Sequence, residues 1–211
     1  MATNYHLRVT NNSPTFEQFA IYQKDPDLGS PDAMSLAWFV QGAHPGQTLD
    51  FNWTIDYSVM WSASGTTGGS VKFVVAQEVP CDPSDVNNNG VELAYENDVP
   101  LLRSVKFPLG TPRPGSVYVN QRSNLPVSSG LIGLGIGGQP AYAAPALPNQ
   151  LTVFTPHPNY WITAGTFEAG DALDVEAISA RSQQIEYDDG VYDMSVGFDR
   201  ARVWSVTAAT S

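Results

Sequence analysis

One cysteine, Cys81, stands in a chain of 211 residues. No intramolecular disulfide can form, which excludes a small secreted scaffold held together by bridges. Basic residues are scarce too: 10 Lys and Arg face 21 Asp and Glu, a formal net charge of −11. Nucleic acid and anionic membrane surfaces both need a basic face, so neither is an expected partner. No apolar run approaches the roughly 18 residues of a spanning helix, and no membrane span is expected. The first residues, Met1 to His6, lack a basic stretch followed by an apolar one. The localisation read from this is cytoplasmic, or exported without a conventional signal peptide. Charged residues make up 15% of the chain against 42% hydrophobic and 11% aromatic, with 18 Gly and 16 Pro. Such a chain is too apolar for disorder, long enough to bury a sizeable core, and rich in turns.

Periodicity is the strongest positive signal. Leu49, Phe51, Trp53, Ile55, Tyr57, Val59 and Trp61 occupy every second position. Between them lie Asp50, Asn52, Thr54, Asp56, Ser58 and the one apolar exception, Met60. Period two buries one face and wets the other, the signature of an antiparallel strand. A straight run of this length would exceed a usual strand of about 5–6 residues, so a bulge or bend is expected inside it. Shorter runs rich in β-branched and aromatic residues recur near positions 5–9, 71–75, 116–119, 151–154, 160–163, 173–176, 192–196 and 202–206. Pro45-Gly46, Gly68-Gly69, Pro114-Gly115 and Asp189-Gly190 separate some of them as turns. No amphipathic helix of 12 residues or more is visible; residues 33–40 are read as one helical turn. Residues 126–150 form an uncharged Gly/Ala/Pro-rich segment, read as a buried strand followed by an ordered loop. No period of 20–50 residues repeats. The expected fold is all-β with little helix: one antiparallel, jelly-roll-like β-sandwich spanning residues 1–211.

Motifs that carry chemistry are few. Asp85, Asn87, Asn89, Gly90 and Glu96 match the loop D-x-[DN]-x-[DN]-G-x5-E, which offers a hard cation oxygen ligands and a sharp glycine turn. Ca²⁺ could therefore sit on Asp85, Asn87, Asn89 and Glu96. Pro80 and Pro83 deny the loop an incoming helix, and Asn-Gly equally spells a hairpin turn. No cofactor is required by any other motif. Gly133-Leu134-Gly135-Ile136-Gly137-Gly138 matches a dinucleotide fingerprint, but Pro140 follows where a helix would have to start. His6, His44 and His157 are far apart, no elbow places a serine nucleophile, and acidic neighbours would raise the pKa of Cys81. The proline-fixed segment 155–161 is the best ligand-binding candidate, through His157, Tyr160 and Trp161. In the adjacent pairs Trp38-Phe39 and Tyr160-Trp161, one member must leave the core side of a strand, where it can stack on a sugar or a partner.

Residues 35–39, 51–61 and 154–163, reading SLAWF, FNWTIDYSVMW and FTPHPNYWIT, resemble the rhizosphere-expressed RhiA-like proteins of bacteria and their fungal relatives. The likeness runs along most of the chain. It implies an abundant, regulated protein of undefined biochemistry, and it carries no catalytic or ligand residues over. The loop at 85–96 looks like a local elaboration. The reading that follows is a non-catalytic binding or interaction protein for carbohydrate or protein, self-associating as a homo-oligomer. The alternatives are an enzyme with a loop-built active site and a structural subunit of a filament or shell.

Overall fold

The computed structural model describes residues 3–24, 33–63, 71–107, 112–157 and 159–209. The described residues carry seventeen strands. They are β1 (Asn4–Asn11), β2 (Glu17–Gln23), β3 (Met34–Ser35), β4 (Phe39–Ala43), β5 (Thr48–Thr54) and β6 (Tyr57–Ser62). Then follow β7 (Gln77–Cys81), β8 (Gly90–Glu96), β9 (Val99–Ser104), β10 (Val117–Gln121), β11 (Leu131–Ile136) and β12 (Gln139–Pro145). The last are β13 (Gln150–Phe154), β14 (Tyr160–Gly165), β15 (Ser182–Ile185), β16 (Asp193–Phe198) and β17 (Trp204–Ala208). The all-β expectation holds, but the single sandwich does not. The strands form four sheets, ordered β17-β16-β1-β5, β15-β14-β2-β4, β3-β12-β11-β6-β7 and β13-β10-β8-β9, here sheets 1 to 4. Nor is the pairing wholly antiparallel, because β1 runs parallel to β16 and β8 parallel to β10.

The long alternating run explains part of the difference. Ile55 and Asp56 interrupt it, so β5 closes sheet 1 while β6 lies inside sheet 3. Its period survives the bend: Phe51, Trp53, Val59 and Trp61 are all buried. Met60, the apolar exception, is buried on the other face of sheet 3 against Leu36, Phe73, Leu131 and Ala143. Residues 71–75 reach that face without becoming a strand; Lys72 makes an isolated bridge to Asp171. The helical turn expected at 33–40 is instead β3 and β4. Helix appears where a strand was expected, as α1 (Val175–Ile178), with Asp174 capping the amide of Ala177 at 3.0 Å. The glycine fingerprint forms the β11–β12 hairpin, whose turn needs positive φ at Gly137 (57°) and Gly138 (75°).

The topology repeats itself. Strands β10, β11, β12 and β13 occupy the same relative places and directions as β1, β2, β4 and β5. Strands β6 to β9 likewise match β14 to β17. Both parallel pairs fall at the same seam, β1 with β16 and β10 with β8. Sheets 1 and 2 therefore combine the first and last quarters of the chain, and sheets 3 and 4, apart from the two-residue edge strand β3, the two middle quarters. Residues 39–62 and 142–165 align without a gap, sharing Ala43/Ala146, Pro45/Pro148, Gln47/Gln150, Phe51/Phe154 and Tyr57/Tyr160. Sheets 1 and 2 pack through Phe19 on Phe198, with ring centroids 5.7 Å apart. Sheets 3 and 4 meet where Gln77 bridges the carbonyl of Pro100 and the amide of Leu102. One hydrophobic cluster draws on all four sheets. Burying its large side chains, at about 25 cal/mol per Å² of apolar surface, is what holds the sheets together.

Candidate functional site

Sheets 1 and 2 converge on a concentration of rings. Tyr5 on β1 stacks on Trp53 of β5 (centroids 5.9 Å apart, planes 5° apart) and meets Tyr187 edge-on at 4.9 Å. Tyr160 on β14 lies 5.2 Å from Trp53, 5.6 Å from Tyr187 and 6.0 Å from Trp38, the last stacked. Tyr192 closes on Tyr5 at 5.5 Å. Tyr5, Tyr160 and Tyr187, with Asn159, Gln184, Ile185 and Glu186, line a cavity of about 260 Å³. That lies just under the roughly 300–1,000 Å³ of a pocket for drug-sized ligands.

Strand alternation places each ring. Trp53 faces the core because Phe51 and Leu49 do. Tyr160 turns inward and is 2% exposed, so Trp161 must turn outward. Burial raises the phenols of Tyr160 and Tyr187 well above the usual tyrosine range, so both remain neutral hydrogen-bond donors at any physiological pH. Tyr187 gives its proton to the carbonyl of His6 at 3.1 Å. The Tyr160 hydroxyl and Trp53 Nε1 face one another without a well-aligned bond, and neither has another partner among the described residues. The site thus holds polar capacity that the protein leaves unused.

The repeat supplies an internal control. Two residues ahead of Val117, where the partner of Tyr5 would stand, is Gly115. Trp38 corresponds to Ala141 and Trp53 to Pro156, and the residue two beyond Cys81, matching Tyr187, is Pro83. Only Tyr160 keeps an aromatic counterpart, Tyr57. At that second position the amide of Gly115 bonds the Pro83 carbonyl at 2.7 Å. The same strand framework therefore folds without the ring cluster, so the rings between sheets 1 and 2 are not a requirement of the fold.

Of the ligand residues read from sequence, Tyr160 alone lines this pocket. Trp161 lies on the opposite face of β14 under Lys24, whose ammonium is 4.9 Å from its ring centroid. His157 is exposed in the preceding loop, its carbonyl accepting from the amide of Asn159. Tyr5 and Tyr187 were missed. Tyr5 reads as an ordinary strand residue, and Tyr187 sits beside Asp188-Asp189, which read as a turn.

The four residues of the calcium motif are not brought into one cage. Asp85 Oδ1 accepts from the Asn87 amide at 2.9 Å, so these two share a turn. Asn89 is buried, its amide nitrogen donating to the carbonyls of Arg113 and Ser116. Glu96 ends β8, six residues from Gly90 and so about 20 Å along an extended strand, and pairs with Arg103 at 2.8 Å. No cluster of three or more His, Cys, Asp or Glu suited to a metal occurs among the described residues. Sequence reasoning also passed over Glu92, whose side chain is 5% exposed and is held by Arg103 at 2.6 Å and Arg122 at 2.5 Å. Cys81 is buried, and burial, then Asp82, pushes its thiol up to about 12. His6 has both ring nitrogens engaged, by Asp50 at 2.8 Å and Asp193 at 2.9 Å. With both nitrogens engaged, its place is that of a brace between strands.

Fold and pocket together define an all-β protein of four sheets with an aromatic pocket in one half of a repeated framework. Comparison with known proteins places it further. The RhiA family profile matches residues 2–209. Protein RhiA of Rhizobium leguminosarum bv. viciae is 30% identical over 210 residues, covering 98% of this chain and 87% of that protein. The chain belongs to the RhiA family. No solved structure matches it. No helix among the described residues is long and apolar enough to cross a membrane.

Proposed function

We propose that the chain is a non-catalytic binding protein that takes a small carbohydrate in the Tyr5–Tyr160–Tyr187 pocket. The observation that carries this reading is the asymmetry of the repeat: rings line the pocket where the other half has Gly115 and Pro83. Aromatic faces stack on the C–H faces of sugars, while Asn159, Gln184 and Glu186 offer both donors and acceptors to hydroxyl groups. A glycan array followed by calorimetry on its hits tests the reading. Binding should occur and should weaken at least tenfold in Tyr187→Ala; an array without hits, or hits indifferent to that substitution, removes it.

A further inference from the structure

Among the described residues, Glu186 is the one charged residue lining the pocket, and no Lys, Arg or His lines it. The same loop continues through Asp188 and Asp189 to Asp193 at the start of β16, and the charge of Asp193 acts on Tyr187. On β1, the His6 ring is clamped between Asp50 and Asp193. Lys24 lies over Trp161 on the opposite face of β14. Ring faces attract cations through their quadrupole, and a carboxylate at the rim adds to that attraction. At a formal charge of −11 the whole chain also raises the local concentration of cations.

Resting on the reading of this pocket as a carbohydrate site, we infer that its ligand is an amino sugar whose amine is free and protonated, held by the rings of Tyr5 and Tyr187 and the carboxylate of Glu186. A neutral sugar uses the ring faces but leaves the carboxylate unpaired, and an anionic sugar is repelled by it. The discriminating group is therefore the substituent on one ring carbon.

Three tetrasaccharides that differ at that carbon test the inference: the glucosamine oligomer, its N-acetylated form and the glucose oligomer, carrying an ammonium, an amide and a hydroxyl. Calorimetry at pH 5.5, in low salt and in 0.5 M salt, compares them on the full chain and on Glu186→Gln and Tyr187→Ala. The ammonium form should bind at least tenfold tighter than the other two. The preference should shrink in high salt and vanish in Glu186→Gln, and Tyr187→Ala should weaken the ammonium form at least tenfold. Equal or tighter binding of the amide or hydroxyl form overturns the inference and leaves the carbohydrate reading standing. Ammonium binding unchanged in Tyr187→Ala assigns it to diffuse surface charge and also overturns the inference. Failure of all three oligomers to bind overturns both.

Discussion

The Tyr187 hydroxyl donates to the backbone carbonyl of His6 at 3.1 Å, so the outer wall of the pocket hangs on the residue that ties three strands together. His6 on β1 reaches Asp50 on β5 and Asp193 on β16 with its two ring nitrogens. The bond from His6, helped by Arg8, holds the Asp50 carboxyl below the usual aspartate range. A carboxyl with a lowered folded-state pKa contributes stability above its ordinary value, and that contribution disappears as pH falls through the lowered one. In His6→Ala, carbon-detected NMR titration should find Asp50 returned toward the usual range. An Asp50 titration untouched by that substitution would show that the brace is not made in solution.

Tyr187→Phe separates the wall from the ring. It keeps the aromatic face and removes one hydrogen bond, so urea unfolding should show a loss of about 1 kcal/mol. Carbohydrate affinity should change less than in Tyr187→Ala. If the two variants bind equally poorly, it is the hydroxyl, rather than the face, that the ligand needs.

Glu92 carries the other prediction for stability. Its carboxylate is buried under two arginines that are themselves about half exposed, at 43% and 56%. Removing one partner of a fully buried pair costs about 3–5 kcal/mol. Arg103 and Arg122 can return to water, so the expected loss for Glu92→Gln is smaller, about 1–2 kcal/mol. Arg122→Ala should cost less than about 1 kcal/mol. Equilibrium unfolding of both variants decides; a neutral Glu92→Gln would reduce the network to decoration.

Cys81 should be inert in the folded protein. With its thiol pushed up to about 12 by burial, the thiolate that reacts is almost absent at pH 8. A thiol reagent should modify it only at the rate of unfolding, and denaturant should release one fast equivalent. Because the native thiol holds its proton longer than the unfolded one, the contribution to stability is complete below pH 9 and erodes between there and about 12. Rapid modification of the native protein at pH 8 would contradict the burial.

Calcium should leave the melting temperature unchanged relative to EDTA. A ligand specific to the folded form must raise it, but Glu96 is committed to Arg103 and the Asn89 amide to two carbonyls. A rise of several degrees with millimolar Ca²⁺ would show that the 85–96 segment rearranges into a cage.

The strand content was legible because alternation is a local property: Leu49 to Trp61 announce a buried face without reference to any other segment. Even the bend near Ile55 follows from the improbable length of the run. The failures share one cause. Residues 71–75 have strand composition but find no ladder beyond the Lys72–Asp171 bridge, and residues 173–176 have it too, yet Asp174 caps a helix. The residues of the calcium motif stand apart because β8 pairs with β9 and β10, which stretches Glu96 away from the turn. In each case a distant partner overrode the local preference. Of the pocket, sequence pointed to Tyr160 alone, in its proline-fixed segment, whereas Tyr5 and Tyr187 come from opposite ends of the chain.

Composition and periodicity alone made this an acidic, all-β chain rich in rings and without an intramolecular disulfide, since burial and alternation are written residue by residue. Only tertiary structure decided that the strands divide among four sheets, and that the first and last quarters of the chain build one pair of them. It also decided that the rings gather in one half and not in its twin. Strand pairing joins residues nearly two hundred positions apart, such as His6 and Asp193, and no local pattern can encode which of many alike edges will meet.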